Sequence, residues 1–476
     1  MFFCCMSVIG MAALFTSCTD DNGTPDEPDV DFVGSSIKVP NEVGTYSVQM
    51  EFDHNWEVSN KTTWFSITPL SGTPGTATIS VTVVDTNPDL IERVASFIIK
   101  NTDAGTNTQY YVIQDVTSGF NIADSQMSVG IEEQQAVFTL EGNVDFEAVA
   151  AQDWITIDGV ESDSTLLADD ATYSKYKTYR INMSIAANTG EVRYSDIYLN
   201  GVDGTTKDTV TVSQMGELVA DYSKTFYRRS MGFRMTATTC GYCPIMSEAM
   251  KATYEQTNGR FVPFTIYGVM AGSDWMVYEN WRYWLYTVFK SNGFPTGVIN
   301  GYANLGNYSE SIQTDAYVKL TDEATAELPS NTLIGGMVSC DGSNINVDIS
   351  VASKQAGEYT IGVFLMESGI VGSQSGAGAD YEHNFVVKDE FTNSPEGDPI
   401  SLSANSTTEL SYSMAIPSVI EDINNCYVCV WIASDDTFSG SVTGPNDENI
   451  YYNYGILIDN VVNIPMNGFA VFEYEN

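Results

Sequence analysis

Short alternations of apolar and polar residues run through most of this chain. Thr78-Ile-Ser-Val-Thr-Val-Val84, Arg93-Val-Ala-Ser-Phe-Ile-Ile99 and Tyr110-Tyr-Val-Ile-Gln114 place apolar side chains at alternate positions. Successive side chains of a strand point to opposite faces, so this period marks one face for burial and the other for water. Asn55-Trp-Glu-Val-Ser59 and Trp64-Phe-Ser-Ile-Thr-Pro69 follow the same rule, and Gly72-Thr-Pro-Gly75 supplies a turn. The pattern returns in Trp154-Ile-Thr-Ile157, Tyr179-Arg-Ile-Asn-Met-Ser-Ile185 and Val210-Thr-Val-Ser-Gln214. Antiparallel sheets packed in pairs are expected.

Two of these stretches echo one another. Trp56 and Trp64 stand eight apart, as do Phe146 and Trp154 ninety residues on, and Asn87, Arg93 and Gln114 reappear as Asn188, Arg193 and Gln214. The second copy carries an acidic insertion around Glu161 to Asp170. Residues 31–117 and 118–217 are read as two Ig-like β-sandwiches. The first resembles the BACON domain (Bacteroidetes-associated carbohydrate-binding, often N-terminal), and the second is a degenerate copy with Phe146 where a Trp is expected. The resemblance implies a possible glycan partner, with Trp56 and Trp64 as candidate contacts. The residues favour core packing, because an aromatic in an alternating strand is sandwich core. Such domains suit a spacer.

From Asp221 the pattern changes. Phe226 to Thr236 reads as a strand leading into Cys240-Gly-Tyr-Cys243-Pro244. Pro244 suits the first turn of a helix, where its missing N–H costs nothing. Ile245, Met246, Ala249, Met250 and Thr253 give that helix an apolar face, and Asn258-Gly259 ends it. Phe261 to Tyr267 is the next strand. Ser273 or Asp274 is a candidate cap for a second helix over 275–290, rich in aromatics with Trp281, Trp284, Tyr286 and Phe289. Gly293-Phe-Pro295-Thr-Gly297 and a hairpin over 296–300 follow. Leu333 to Val351 and Tyr359 to Met366 read as strands of a last β-sandwich over 331–476. Residues 369–379 read as a long glycine-rich loop without the Lys of a phosphate-binding loop.

Two cysteines spaced CxxC can close a small disulfide and open it again, and a thiolate at a helix start is stabilised by free backbone N–H groups and the helix dipole. The order strand, helix, strand, helix, proline, strand over 218–330 resembles the thioredoxin-like fold, which sets a cis-proline against the cysteine pair. Cys240-Gly-Tyr-Cys-Pro, Gly293-Phe-Pro-Thr-Gly-Val-Ile-Asn-Gly301 and Tyr359 to Val371 are similar to outer membrane protein twenty-eight-related lipoproteins. Asp380-Tyr-Glu-His-Asn384 and Gly397-Asp-Pro-Ile400 extend the likeness, which runs from about Asp221 to the C-terminus. It implies a thioredoxin-like domain followed by a β-sandwich on an outer-membrane lipoprotein. The catalytic set so implied is Cys240 as exposed nucleophile, Cys243 as buried resolving thiol, Pro295 beside them, and Tyr242 tuning potential and access. Two positions depart from thioredoxins: Thr239 replaces a Trp, and Arg234, six before Cys240, replaces a buried carboxylate. A cation there makes the pair more oxidising. The alternative is a structural disulfide in an inherited fold.

Other chemistries have little to stand on. Only His54 and His383 are present, so His triads and zinc clusters are not expected, and neither a metal nor a cofactor is called for. Cys426-Tyr-Val-Cys429 lies in a strand-like run, where residues three apart face opposite ways and do not pair with each other. One of them pairs with Cys340 or stays a buried thiol. An aromatic shelf at Trp281 and Trp284 is the other candidate glycan contact.

Charge and the N-terminus set the location. With 62 acidic and 20 basic residues the net charge is −42, so nucleic acid is excluded as a partner and anionic lipid is a poor one. Phe2 to Phe15 is apolar and has signal-peptide length, and Leu14-Phe-Thr-Ser-Cys18 resembles a lipoprotein cleavage box. Residues 1–18 are expected to be a signal peptide ending at a lipidated Cys18, the anchor to the outer membrane. Residues 19–30 form an acidic flexible tether that resembles the surface-export signal of Bacteroidetes lipoproteins. The chain is thus expected to be multidomain and mainly β with one α/β domain, a surface lipoprotein that exchanges disulfides with exported proteins. Its rival is a non-catalytic glycan-binding or adhesion lipoprotein.

Overall fold

The structure, a computed structural model, describes residues 32–163, 177–269, 276–306, 308–434, 436 and 442–475. Cys18, the tether, most of the acidic insertion and the helix cap expected at Ser273 or Asp274 lie outside the described residues. Strands dominate, arranged in several sheets. The chain divides into two compact units, one of Met1–Asn121, Leu140–Asp145 and Ser162–Tyr179, the other of Ile122–Thr139, Phe146–Glu161 and Arg180–Asn476.

In the first unit, strands Ser36–Val39, Asn107–Gln114, Arg93–Asn101 and Trp56–Asn60 lie side by side in one sheet. Gly44–Phe52, Gly75–Val83 and Phe65–Thr68 form a second. The alternation read from the sequence is the packing pattern: Val48, Ile79, Val81, Phe97, Ile99 and Val112 meet in one core. The echoed polar residues form a clamp. Arg93 Nε donates to Gln114 Oε1 at 3.1 Å, its guanidinium lies 4.6 Å from the Trp64 ring centroid, and Asn87 Nδ2 donates to the Ile91 and Asp115 carbonyls. The second unit repeats this clamp. Arg193 Nε donates to Gln214 Oε1 at 2.8 Å, Trp154 lies 4.5 Å beneath its guanidinium, and Asn188 Nδ2 donates to the Glu191 and Met215 carbonyls. Gln114, Asn87 and Gln214 are fully buried, so their amides need these partners.

The rest of the second unit carries the cysteine pair. Its strands are β1 (Ser230–Thr236), β2 (Phe261–Tyr267), β3 (Thr296–Ile299), β4 (Ala303–Leu305), β5 (Thr332–Cys340), β6 (Asn344–Ser353) and β7 (Gly357–Glu367). There follow β8 (Ile370–Gln374), β9 (Gly378–His383), β10 (Val386–Glu390), β11 (Asp398–Leu402), β12 (Ser406–Ala415), β13 (Cys426–Ser434), β14 (Leu457–Pro465) and β15 (Phe469–Ala470). The helices are α1 (Cys243–Gln256) and α2 (Glu310–Glu327). One nine-stranded sheet runs β4-β3-β1-β2-β10-β7-β13-β14, with β11 beside β7, and so takes strands from both sides of residue 330. A second sheet runs β12-β6-β5-β15. The crossover through α1 makes β1 and β2 parallel, whereas β3 returns antiparallel to β1.

β1 and β2 are buried on both faces, which their nearly unbroken apolar runs allow. On one side Met231, Phe233 and Met235 join Trp284, Phe289, Phe364 and Trp431. On the other, Phe261 packs with Met246 and Met250 of α1 and Tyr317 and Leu320 of α2. A third core, between the two sheets, holds Val347, Val363 and Val430.

Two expectations change, and one helix is new. The helix expected over 275–290 is a short turn, of π type over Tyr283–Val288. Its aromatics enter the core from a compact loop, so aromatic density there reflects burial rather than helical period. The glycine-rich loop over 369–379 is a hairpin, β8 and β9, paired from Ile370 opposite His383 to Gln374 opposite Gly378. Helix α2 was not foreseen, because its buried face carries Gln313, Thr314 and Thr321 beside Tyr317 and Leu320, which breaks the apolar period.

Candidate functional site

Antiparallel pairing of Met235 with Thr296 brings the Gly293–Thr296 loop beside the end of β1, where the chain leaves for the cysteines. That loop is pinned by Thr296 Oγ1, which donates to Gly293 O at 2.8 Å and shares a 2.7 Å hydrogen bond with Ser291 Oγ. The Phe294–Pro295 peptide is cis. Cys240 and Cys243 are bonded to each other, with Cys243 opening α1 and Pro244 in its first turn. Phe294 packs on the small cluster formed by Ala237, Cys240 and Cys243.

The expected exposed nucleophile is buried: Cys240 is 2 % exposed and Cys243 1 %. Thr239, Gly241 and Tyr242 face solvent, Tyr242 at 70 %. The loop surface is therefore open while both sulfurs lie beneath it. A second layer comes from the hairpin. Gln374, itself buried, donates from Nε2 to the Ala237 carbonyl at 3.3 Å and the Cys240 carbonyl at 3.0 Å. Ser375 N donates to Thr238 O at 2.7 Å. Sequence reasoning missed Gln374, since nothing local marks a glutamine whose partners lie about 135 residues earlier.

Arg234 lies on the helix side of β1 and is 3 % exposed. Its Nε and Nη2 donate to Thr265 Oγ1 at 3.3 and 3.2 Å, Nη1 donates to Ser247 Oγ, and the Tyr267 ring centroid is 5.9 Å away. Among the described residues no carboxylate forms an ion pair with it. Ser247 is one turn along α1 from Cys243, so a buried cation without a paired anion stands behind the start of that helix. A small cavity beside it, of about 10 Å³, is lined by Arg234, Ser247, Glu248, Lys251 and Tyr381 and has room for a water at most. Tyr267 and His383 Nδ1 share a 2.6 Å hydrogen bond, and His383 is a buried member of β9.

The candidate aromatics are all buried. Trp281 and Trp284 join the core around Phe233, and Trp56 and Trp64 the core of the first unit. None of the four presents an indole face to solvent. Cys426 and Cys429 fall in different cores on opposite faces of β13, and Cys340 packs on the same core as Cys426. Burial, with the Glu367 carboxylate nearby, pushes the Cys426 thiol up to about 12, and burial also raises Cys429. Among the described residues no group of three or more His, Cys, Asp or Glu is placed to hold a metal, and no helix is long and apolar enough to cross a membrane.

A model of the family described as outer membrane protein Omp28 matches residues 283–443. The match takes in Pro295 and the β8–β9 hairpin and begins after the cysteine pair. Its description points to the outer membrane. Comparison with curated proteins finds no match. Among solved structures the chain is similar to HBP35 of Porphyromonas gingivalis, at 14% identity over 53% of this chain and 80% of that one, with a TM-score of 0.39. A protein from Agrobacterium tumefaciens is similar at 12% identity over 52% of this chain and 97% of that one, TM-score 0.32. A Bacteroides ovatus GH5 xyloglucanase is similar at 17% identity over 21% of each chain, TM-score 0.16.

Proposed function

We propose that this chain is a surface-exposed outer-membrane lipoprotein, anchored through Cys18, that exchanges disulfides with exported proteins. The match over 283–443 supports the location. Parallel β1 and β2 joined by α1, antiparallel β3, and α2 packed beside α1 support a thioredoxin-like reading of 218–330. A C-terminal β-sandwich would fill 331–476. The two clamped repeats, 31–117 and 118–217, are BACON-like, Ig-like spacers whose Trp64 and Trp154 serve the core.

One observation carries the chemistry: the Cys240–Cys243 disulfide closes where α1 begins, backed by the Arg234 guanidinium, which pairs with no carboxylate among the described residues. Both features favour a thiolate over a thiol. Cys240 is the nucleophile, Cys243 resolves the mixed disulfide, Pro295 and Phe294 line the approach, and Tyr242 shapes the rim. Burial of both sulfurs favours a second reading, a structural disulfide. Thiol trapping across a glutathione series separates them. A potential between about −120 and −270 mV supports exchange, and one below about −300 mV assigns the pair a structural role.

A further inference from the structure

The β8–β9 hairpin is fixed at one end and lightly held at the other. At its base Ile370 packs with Tyr267 and Val386, and His383 is fully buried. Along β9, Tyr381 donates to Glu248 Oε1 of α1 at 2.6 Å, and Lys251 of α1 lies 3.8 Å from Glu382. The tip differs. Ser375, Gly376 and Ala377 are exposed and belong to no core. Gln374 and Ser375 hold the tip to residues 237–240 through three hydrogen bonds to backbone carbonyls. Gly376, at φ +86°, rests on Gly241 so closely that a Cβ would come 2.3 Å from its carbonyl oxygen. A bulge between Gly372 and Gln374 interrupts the hairpin pairing just before the tip.

We propose that this tip is a built-in cover for the Cys240–Cys243 disulfide, and that it lifts on its anchored base to admit a thiol. The inference rests on the exchange reading of the pair and adds its regulation. With the tip down, Gln374 and Gly376 close over the backbone from Ala237 to Gly241, while Phe294 packs on the cluster of Ala237 and the two cysteines. With it up, an incoming thiolate bonds to the Cys240 sulfur and the Cys240–Cys243 bond breaks. The electron pair of that bond leaves on the Cys243 sulfur, which takes a proton from solvent. A second thiol group on the substrate then displaces Cys240, so the substrate dithiol is oxidised to a disulfide and the enzyme pair is reduced. The acceptor carbonyls that the tip releases are those an extended polypeptide would meet at the same rim.

The test is the rate at which reduced glutathione opens the disulfide in the full-length folded protein, followed by quenching with N-ethylmaleimide and mass spectrometry. Gln374→Ala removes the amide that bridges two carbonyls, and Gly376→Ala adds a Cβ where Gly241 leaves no room. Both are expected to be reduced at least tenfold faster than the parent, with circular dichroism and unfolding temperature showing the fold retained. Rates within twofold of the parent in Gln374→Ala overturn the proposal, even if Gly376→Ala fails to fold. The potential measured on the same samples separates the two claims. Faster opening with a potential below the oxidoreductase window keeps the cover and removes the exchange function. A potential inside the window with unchanged rates does the reverse.

Discussion

Arg234 is where a single side chain sets the chemistry. A buried charge is normally matched by an opposite one, and here the guanidinium bonds to the hydroxyls of Thr265 and Ser247 and faces Tyr267, with no carboxylate in ion-pair contact among the described residues. An unmatched cation behind the first turn of α1 stabilises the reduced, anionic form of the pair more than the disulfide. It therefore raises the potential. Arg234→Met is expected to make the pair less oxidising, by about 30 mV for each 1.4 kcal/mol of lost interaction. A glutathione series on both proteins reads this directly, and an unchanged potential would show that the charge is screened from the sulfurs. The three free cysteines among the described residues supply a contrast at the same scale. Burial raises the Cys426 thiol to about 12, so at pH 8 its thiolate is rarer than that of an ordinary thiol near 8.5 by about three orders of magnitude. Native iodoacetamide treatment is expected to label Cys340, and Cys426 and Cys429 only after denaturant. Peptide mapping decides it, and early labelling of Cys426 would show that β13 opens.

Elements show where the sequence speaks and where it falls silent. The repeated Asn, Arg and Gln were legible as an echo ninety residues apart, and each copy builds the same clamp over a Trp. Arg93→Met leaves Gln114 Oε1 buried without its donor, a loss of about 1–3 kcal/mol. Calorimetry should show the first unit melting earlier while Arg193→Met spares it, and equal effects of the two changes would mean that the units do not melt separately. The strands of both units were legible because alternation records one buried face. The CxxC helix start was legible from Pro244 and the spacing of Met246, Ala249 and Met250. Helix α2 was not, since its buried face carries Gln313, Thr314 and Thr321, whose donors bond to nearby backbone carbonyls, as where Thr321 Oγ1 donates to Tyr317 O at 2.8 Å. The hairpin over the cysteines was hidden for a similar reason. Its tip is glycine and serine, and its hold on the site consists of hydrogen bonds to backbone carbonyls, which leave no apolar pattern.

At the scale of the whole molecule, charge and anchor work against each other. A net charge of −42 repels an anionic membrane surface, so a folded body of this composition has no electrostatic reason to stay on one. Attachment then falls to the lipid proposed on Cys18. This arrangement makes a sharp prediction. Cys18→Ser should lose incorporation of labelled palmitate and move from the membrane pellet to the soluble fraction, while Cys240→Ser should stay in the pellet. Protease added to intact cells should then cleave the wild-type chain, since a surface protein is reachable without breaking the outer membrane. Retention of Cys18→Ser in a carbonate-washed pellet would mean that protein contacts hold the chain there, and protection from protease would place it on the inner leaflet.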